Sequence, residues 1–176
     1  MSNISNVQVY GLEESITASG YPMMADLQHQ QDSDREIERM RRLGRAKSGS
    51  GHDSALKGIV VQFDWNNSLL IQRQVLRYHF LDIVSSQSTM HCALKMDIGE
   101  QVNYRVHPVI VETCEELIQG YNEAVTYGAS PAELKERELE LLYSLPSGYE
   151  LTARYTTNYL QLKTIYLQRR GHKLPE

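Results

Sequence analysis

Three observations predict an α+β fold for this chain, a small antiparallel sheet packed with helices. Ile59, Val61, Phe63 and Trp65 alternate with Gln62 and Asp64, the period of a half-buried strand. Beyond Pro108, Ile110, Cys114, Leu117, Ile118, Tyr121 and Val125 recur with the 3.6-residue period of a helix. Near the end, "YELTARYTT" alternates again and runs into "NYLQLKTIYLQRR", which has helical spacing.

In chain order, residues 2–10 alternate weakly through Ile4, Val7 and Val9 and predict a short strand, whereas residues 20–33 are polar with no period. "SDREIERMRRLGRAK" predicts a helix capped by Ser33 or Asp34, with Ile37, Met40 and Leu43 as its apolar stripe. Its basic residues are interrupted by Glu36 and Glu38, so a solvated helix face explains them better than a phosphate-binding patch. "KSGSG" makes a turn into the alternating strand, which Asn66-Asn67 should end. "SLLIQRQVLRYHF" then places Leu69, Leu70, Arg73, Gln74 and Arg77 at helical spacing. Arg73 and Arg77, one turn apart, would repel by a few tenths of a kcal/mol unless an anion or carboxylate met them, which favours a partner. Gly128 is a plausible stop for the long helix after Pro108. The next helix opens on a capping box, Ser130 with Glu133, and has Pro131 in its first turn. Leu134, Leu141, Leu142 and Leu145 supply its core face, and Tyr155, Tyr159 and Tyr166 are expected in the core. No internal repeat is present.

With 176 residues the chain is expected to form one domain, residues 1–176, with 1–50 its more variable N-terminal segment. Hydrophobic residues at 41% and charged residues at 23% are ordinary for a soluble protein. A net charge of −4 supplies no basic field for a nucleic-acid polymer. No apolar run approaches the ~20 residues that span a bilayer, and "MSNISNVQVYG" lacks a signal-peptide pattern, so no membrane partner and a cytoplasmic location are expected. Cys92 and Cys114 have no metal spacing and read as buried free thiols. His79 and His91 lack a third ligand at fitting spacing, so no metal is expected. The serines at 85, 86 and 88 sit in no G-x-S-x-G elbow, which argues against a hydrolase nucleophile. What stands out is residues 51–91, where His52, His79, His91, Arg73, Arg77 and "SSQS" surround one strand and the segment that follows it.

Three blocks of that stretch and of the C-terminus resemble the flavin-dependent thymidylate synthases. The family's "gHtSPFEH" segment is similar to "GHDSALKG" here, with His52 and Ser54 retained. Its "QWvRHR" helix and R-H-R-x-x-S-x-N-E-x-S-x-R-Y signature resemble "RQVLRYHFLDIVSSQSTMH". Gln74 and Arg77 fall on the Gln and the leading Arg, and, with one extra residue allowed, Ser88 falls on the later Ser. Its closing N-x-R-x(8)-R helix and "HAQWE" resemble Asn158, Arg169 and "HKLPE" at 172–176. A divergent member is implied, with a phage or prophage genome as one origin to consider.

The resemblance implies a homotetramer with sites between subunits that methylates dUMP, using FAD as hydride carrier and methylenetetrahydrofolate as carbon donor. By position, His52, Ser54, His79 and Asn158 would lie by the flavin. Gln74, Arg77, Ser88 and Arg169 would lie along the nucleotide, with Arg169 stabilising charge on the pyrimidine as the catalytic residue. The chain departs from the pattern where the triplet reads Arg77-Tyr78-His79, the N-E pair Ser85-Ser86 and the R-Y pair Met90-His91. "PFEH" reads Ala55-Leu56-Lys57-Gly58, and Leu160 replaces the middle Arg of the last helix. Each lost charged partner removes about 1.5–3 kcal/mol of binding. The alternative is therefore a catalytically degenerate nucleotide-binding or oligomeric interaction protein of the same fold.

Overall fold

The computed structural model describes residues 3–27 and 33–171, and its fold is α+β. Strands β1 (Asn3–Tyr10), β2 (Val60–Ser68), β3 (Asp82–Ser86) and β4 (Glu150–Asn158) make one antiparallel sheet in the order β1-β2-β4-β3. The helices are α1 (Leu12–Ala18), α2 (Ser33–Gly44), α3 (Leu69–Val75), α4 (Thr89–Cys92), α5 (Pro108–Thr126), α6 (Pro131–Ser144) and α7 (Tyr159–Arg169). Short 3-10 turns lie at Tyr21–Met23 and Ser54–Gly58. The chain divides into two compact units, one built mainly from Trp65–Val75 and Ser85–Ala153, the other mainly from Ser5–Asp64, Leu76–Val84 and the chain from Arg154 onward.

The first unit is centred on Ala93, Ile98, Cys114, Leu141, Tyr149 and Leu151, all buried. Helices α5 and α6 pack on each other across a turn whose chemistry the sequence announces. Gly128 is left-handed at φ 73, its N–H bonds the Val125 carbonyl, and the Ala129 N–H reaches Ala124. That pair of bonds is a Schellman stop. Ser130 Oγ then accepts from the Glu133 N–H at 3.2 Å and starts α6. The middle of the expected α5 stripe is inward, but Ile110 and Val125 at its ends are 42% and 50% exposed. Glu150 is buried, and its carboxylate accepts from Asn103 Nδ2 at 2.9 Å and Asn66 Nδ2 at 3.5 Å, as a buried charge requires.

In the second unit the alternation of β2 buries Ile59, Val61 and Phe63, and Phe63 stacks on Tyr155 with centroids 5.7 Å apart. Asn6 interrupts the β1 alternation with φ 48. It is fixed there by its Nδ2 donating to Asp64 Oδ2 at 2.6 Å and by Arg154 Nη1 donating to its carbonyl at 2.8 Å. Helix α1, too short to read as a period, sits against the Ser54–Gly58 turn because Gly58 has no side chain. A Cβ there would run into the Ser15 hydroxyl.

Several local expectations differ from the structure. Strand β2 does not end at Asn66-Asn67 but runs to Ser68, since Asn67 and Ser68 are buried and Ser68 Oγ caps α3 through the Ile71 N–H at 3.3 Å. Helix α3 stops at Val75 because its buried positions, Ile71 and Val75, are only one turn apart and Leu76 is already exposed. Arg77 therefore lies in a turn, and the shared helical face with Arg73 does not form. Ser33 and Asp34 are inside the first turn of α2 rather than before it. Tyr155 is in the core as expected, but Tyr166 is 62% exposed. Cys114 is buried and Cys92 half-buried, both as free thiols. Among the described residues, no helix is long and apolar enough to cross a membrane.

Candidate functional site

His52 and Ser54 flank Asp53 on the segment that leads from the glycine turn into β2. Gly51 is left-handed at φ 79, and the turn is closed by Ser54 Oγ donating to the Gly51 carbonyl at 2.8 Å. The segment forms one wall of a cavity of about 760 Å³. Its polar lining is Ser15, Ser19, His52, Ser54, Arg39 and Arg42, and its apolar lining includes Met23, Leu43 and Ala55. Hydroxyls, an imidazole and guanidinium groups beside an apolar wall suit a ring system carrying phosphate, and the volume is that of a cofactor pocket.

Asp53 itself points away into the protein, buried, and meets Lys163 of α7 at 2.6 Å. The same ammonium donates to the Ala46 carbonyl at 2.6 Å, so one side chain of the last helix holds both ends of the glycine turn. The start of that helix is fixed by Asn158, whose Oδ1 accepts from the Gln161 N–H at 2.9 Å. Asn158 is thus a helix cap whatever else it contacts.

At the other end of α7, Arg169 Nε donates to the Tyr78 hydroxyl at 2.6 Å, and its guanidinium carbon lies 5.5 Å from the Tyr78 ring centroid. Tyr78 belongs to the turn after α3, between exposed Arg77 and exposed His79, and Phe80 beside them is held at φ 59 with its ring 69% exposed. Residues 51–58, 77–79 and 158–169 are therefore drawn together inside one compact unit by named contacts to α7.

Gln74 and Ser88 belong to the other unit. Gln74 is half-buried on α3, and Ser88 precedes α4 without a side-chain cap bond. The neighbouring Gln87 ties the end of β3 to β4, its Oε1 accepting from the Thr152 N–H at 2.8 Å. "HKLPE" at 172–176 lies outside the described residues. No group of three His, Cys, Asp or Glu among the described residues could hold a metal ion.

Sequence reasoning missed Lys163, Asp53 and the cavity-facing Arg39 and Arg42. The α2 arginines carried a signal, since Arg39 and Arg42 stand at i,i+3 and share a face with Leu43. Asp53 and Lys163 carried none, being far apart in sequence and adjacent only through the tertiary fold.

The sheet order and the seven helices among the described residues define an α+β protein, with a cavity lined by Arg39, Arg42 and His52. The particular fold is that of the flavin-dependent thymidylate synthases. A flavin-dependent thymidylate synthase from Helicobacter pylori, complexed with FAD and dUMP, superposes with a TM-score of 0.69 at 13% identity, over 96% of this chain and 86% of that one. A second structure of the Helicobacter pylori enzyme with FAD and dUMP gives 0.65 at 11% identity, over 99% and 86%. A UMP/dUMP methylase from Streptomyces cacaoi, bound with 5-Br dUMP, gives 0.61 at 16% identity, over 98% and 80%. No protein-family model matches the sequence, and no curated protein does.

Proposed function

We propose that this chain is a divergent flavin-dependent thymidylate synthase-like enzyme that binds FAD and dUMP and transfers a one-carbon unit from methylenetetrahydrofolate to the pyrimidine. The observation that carries the reading is the contact of Arg169 with Tyr78, which sets the last helix's arginine on the triplet Arg77-Tyr78-His79. The likeness in fold to proteins solved with FAD and dUMP supports it.

Bound in reduced form, FAD would supply the hydride. The chain's own groups would bind and orient. His52 and Ser54 line the cavity in which the flavin would sit, and His79 and Asn158 would flank it. Gln74, Arg77, Ser88 and Arg169 would hold the nucleotide, in a homotetramer whose sites lie between subunits. The guanidinium of Arg169 would stabilise negative charge on the pyrimidine as its carbon becomes nucleophilic, so no protein nucleophile is required. Tyr78 would position Arg169 through the 2.6 Å bond to Nε.

A second reading is favoured by the triplet itself, in which Tyr78-His79 stands where the family has H-R, and by Ser86 and Met90 at its Glu and Arg positions. On that reading the fold binds nucleotide without turnover. The two are separated by supplying reduced FAD, methylenetetrahydrofolate and dUMP and measuring thymidylate. Product that disappears in Arg169→Gln supports the enzyme; saturable dUMP binding with no product supports the binding protein.

A further inference from the structure

Among the described residues, each glutamate of α2 meets an arginine of the same helix. Glu36 takes Arg39, with Oε1 3.9 Å from Nη2, and Glu38 takes Arg41 at 3.7 Å. Those are the only acids of the helix beyond Asp34 in its first turn. Arg42 pairs with neither glutamate, yet it stands one turn from Arg39 and lines the same cavity. Glu36 already meets Arg39, so an added anion at this wall would be drawn chiefly by the exposed Arg42, with Arg39 beside it.

Arg39 is also placed with unusual care. Its side chain is only 18% exposed, and its Nε donates to Ser19 Oγ at 3.2 Å. Ser19 Oγ in turn donates to the Ile16 carbonyl at 2.6 Å, and Thr17 Oγ1 donates to Glu36 Oε2 at 3.5 Å. The guanidinium lies across the backbone at Gly20, where any Cβ would run into it. A buried arginine pair of this kind adds little stability by itself. It does hold a cation at a cavity wall, with the exposed Arg42 beside it and His52 among the other lining residues.

We propose that Arg42, together with the fixed Arg39, binds the diphosphate of a nucleotide cofactor in this cavity, with the ring it carries against Met23, Leu43 and Ala55. The assignment rests on the flavin reading above for the identity of the cofactor, and on the cavity alone for its phosphate. Planar guanidinium groups bind phosphate oxygens with paired N–H donors, which suits them to this task better than ammonium groups.

The test titrates the full chain with FAD, riboflavin and ADP, and repeats the titrations on Arg42→Gln and Gly20→Ala. Arg42 is exposed, so Arg42→Gln should keep the wild-type circular dichroism and melting temperature. Expected are a loss of about tenfold or more in FAD and ADP affinity, riboflavin affinity within twofold of wild type, and partial recovery in Arg42→Lys. Gly20→Ala, which displaces Arg39, should weaken FAD and ADP in the same selective way. FAD binding that is unchanged in both variants overturns the proposal and leaves the flavin reading intact, as does riboflavin affinity falling in parallel with FAD. ADP binding that depends on Arg42 in a protein that binds no flavin supports the proposal while the flavin reading fails. Binding of neither flavin nor ADP overturns both.

Discussion

Lys163→Met should destabilise the chain strongly although Lys163 lies outside the apolar core. It leaves Asp53, whose side chain is 4% exposed, as a carboxylate without its cation, and it strands the Ala46 carbonyl. Removing one partner of a buried ion pair costs about 3–5 kcal/mol. The 18% exposure of the Lys163 side chain lets water relieve part of that cost and moves the expectation to about 3 kcal/mol. For a chain of this length such a loss lowers the melting temperature by roughly 6–12 °C. Asp53→Asn keeps a hydrogen-bond acceptor for the ammonium and should lose only about 1–2 kcal/mol. The double variant should lose less than the sum, with a coupling of about 0.5–3 kcal/mol. Urea denaturation of the four proteins measures all of this. A loss below about 1 kcal/mol in Lys163→Met, or strict additivity, would refute the idea that α7 holds the His52–Ser54 segment through this pair.

Phe80→Gly should leave stability unchanged or raise it by up to ~1 kcal/mol. Relief of a left-handed backbone, worth ~1–2 kcal/mol, exceeds the ~0.5–1 kcal/mol entropy cost of glycine, and the ring buries little; a lower melting temperature would show that the ring packs. A thiol reagent should label Cys92 in the native protein and Cys114 only on unfolding, since burial, reinforced by Glu115, pushes the Cys114 thiol above its ordinary 9.0. Burial, reinforced by Cys92, likewise raises the Tyr149 phenol above 10.0. Both groups therefore add stability that is complete below their ordinary values and is lost as pH rises through the raised ones, so the urea midpoint should fall in alkali and fall less in Cys114→Ala. Asp64 runs the other way, held below its ordinary 3.8 by hydrogen bonds from Asn6 and then Arg154. Its contribution is present above pH 3.8 and lost as pH falls through the lowered value, so Asp64→Asn should flatten the acid limb of the stability profile.

The helices and strands that were legible in sequence are those whose burial repeats locally. The β2 alternation, the middle of the α5 stripe, Gly128 and the Ser130 cap each write their structure within a few residues. The length of α3 was not legible, because Leu76, Arg77 and Tyr78 continue a helical spacing that the fold gives up for an exposed turn. Helix α1 and strand β3 were missed for the opposite reason. Their form depends on distant partners, Gly58 beneath Ser15 and Thr152 beside Gln87. The site divides in the same way. His52, Ser54, Arg77 and Arg169 stood out as residue types in family order, and the contact of Arg169 with Tyr78 joins two of those blocks. Arg39 and Arg42 read as a solvated face, because only the folded chain shows that α2 turns them toward a cavity.

The central claim is that this fold still holds a flavin. Fluorescence anisotropy of FAD titrated with the purified chain tests it most directly. The account predicts saturable binding at tens of micromolar or tighter, a change in the flavin absorbance on adding dUMP, and weaker binding in Lys163→Met than its lost stability alone explains. Anisotropy that never rises above that of free FAD across this range, in protein shown to be folded, would contradict it.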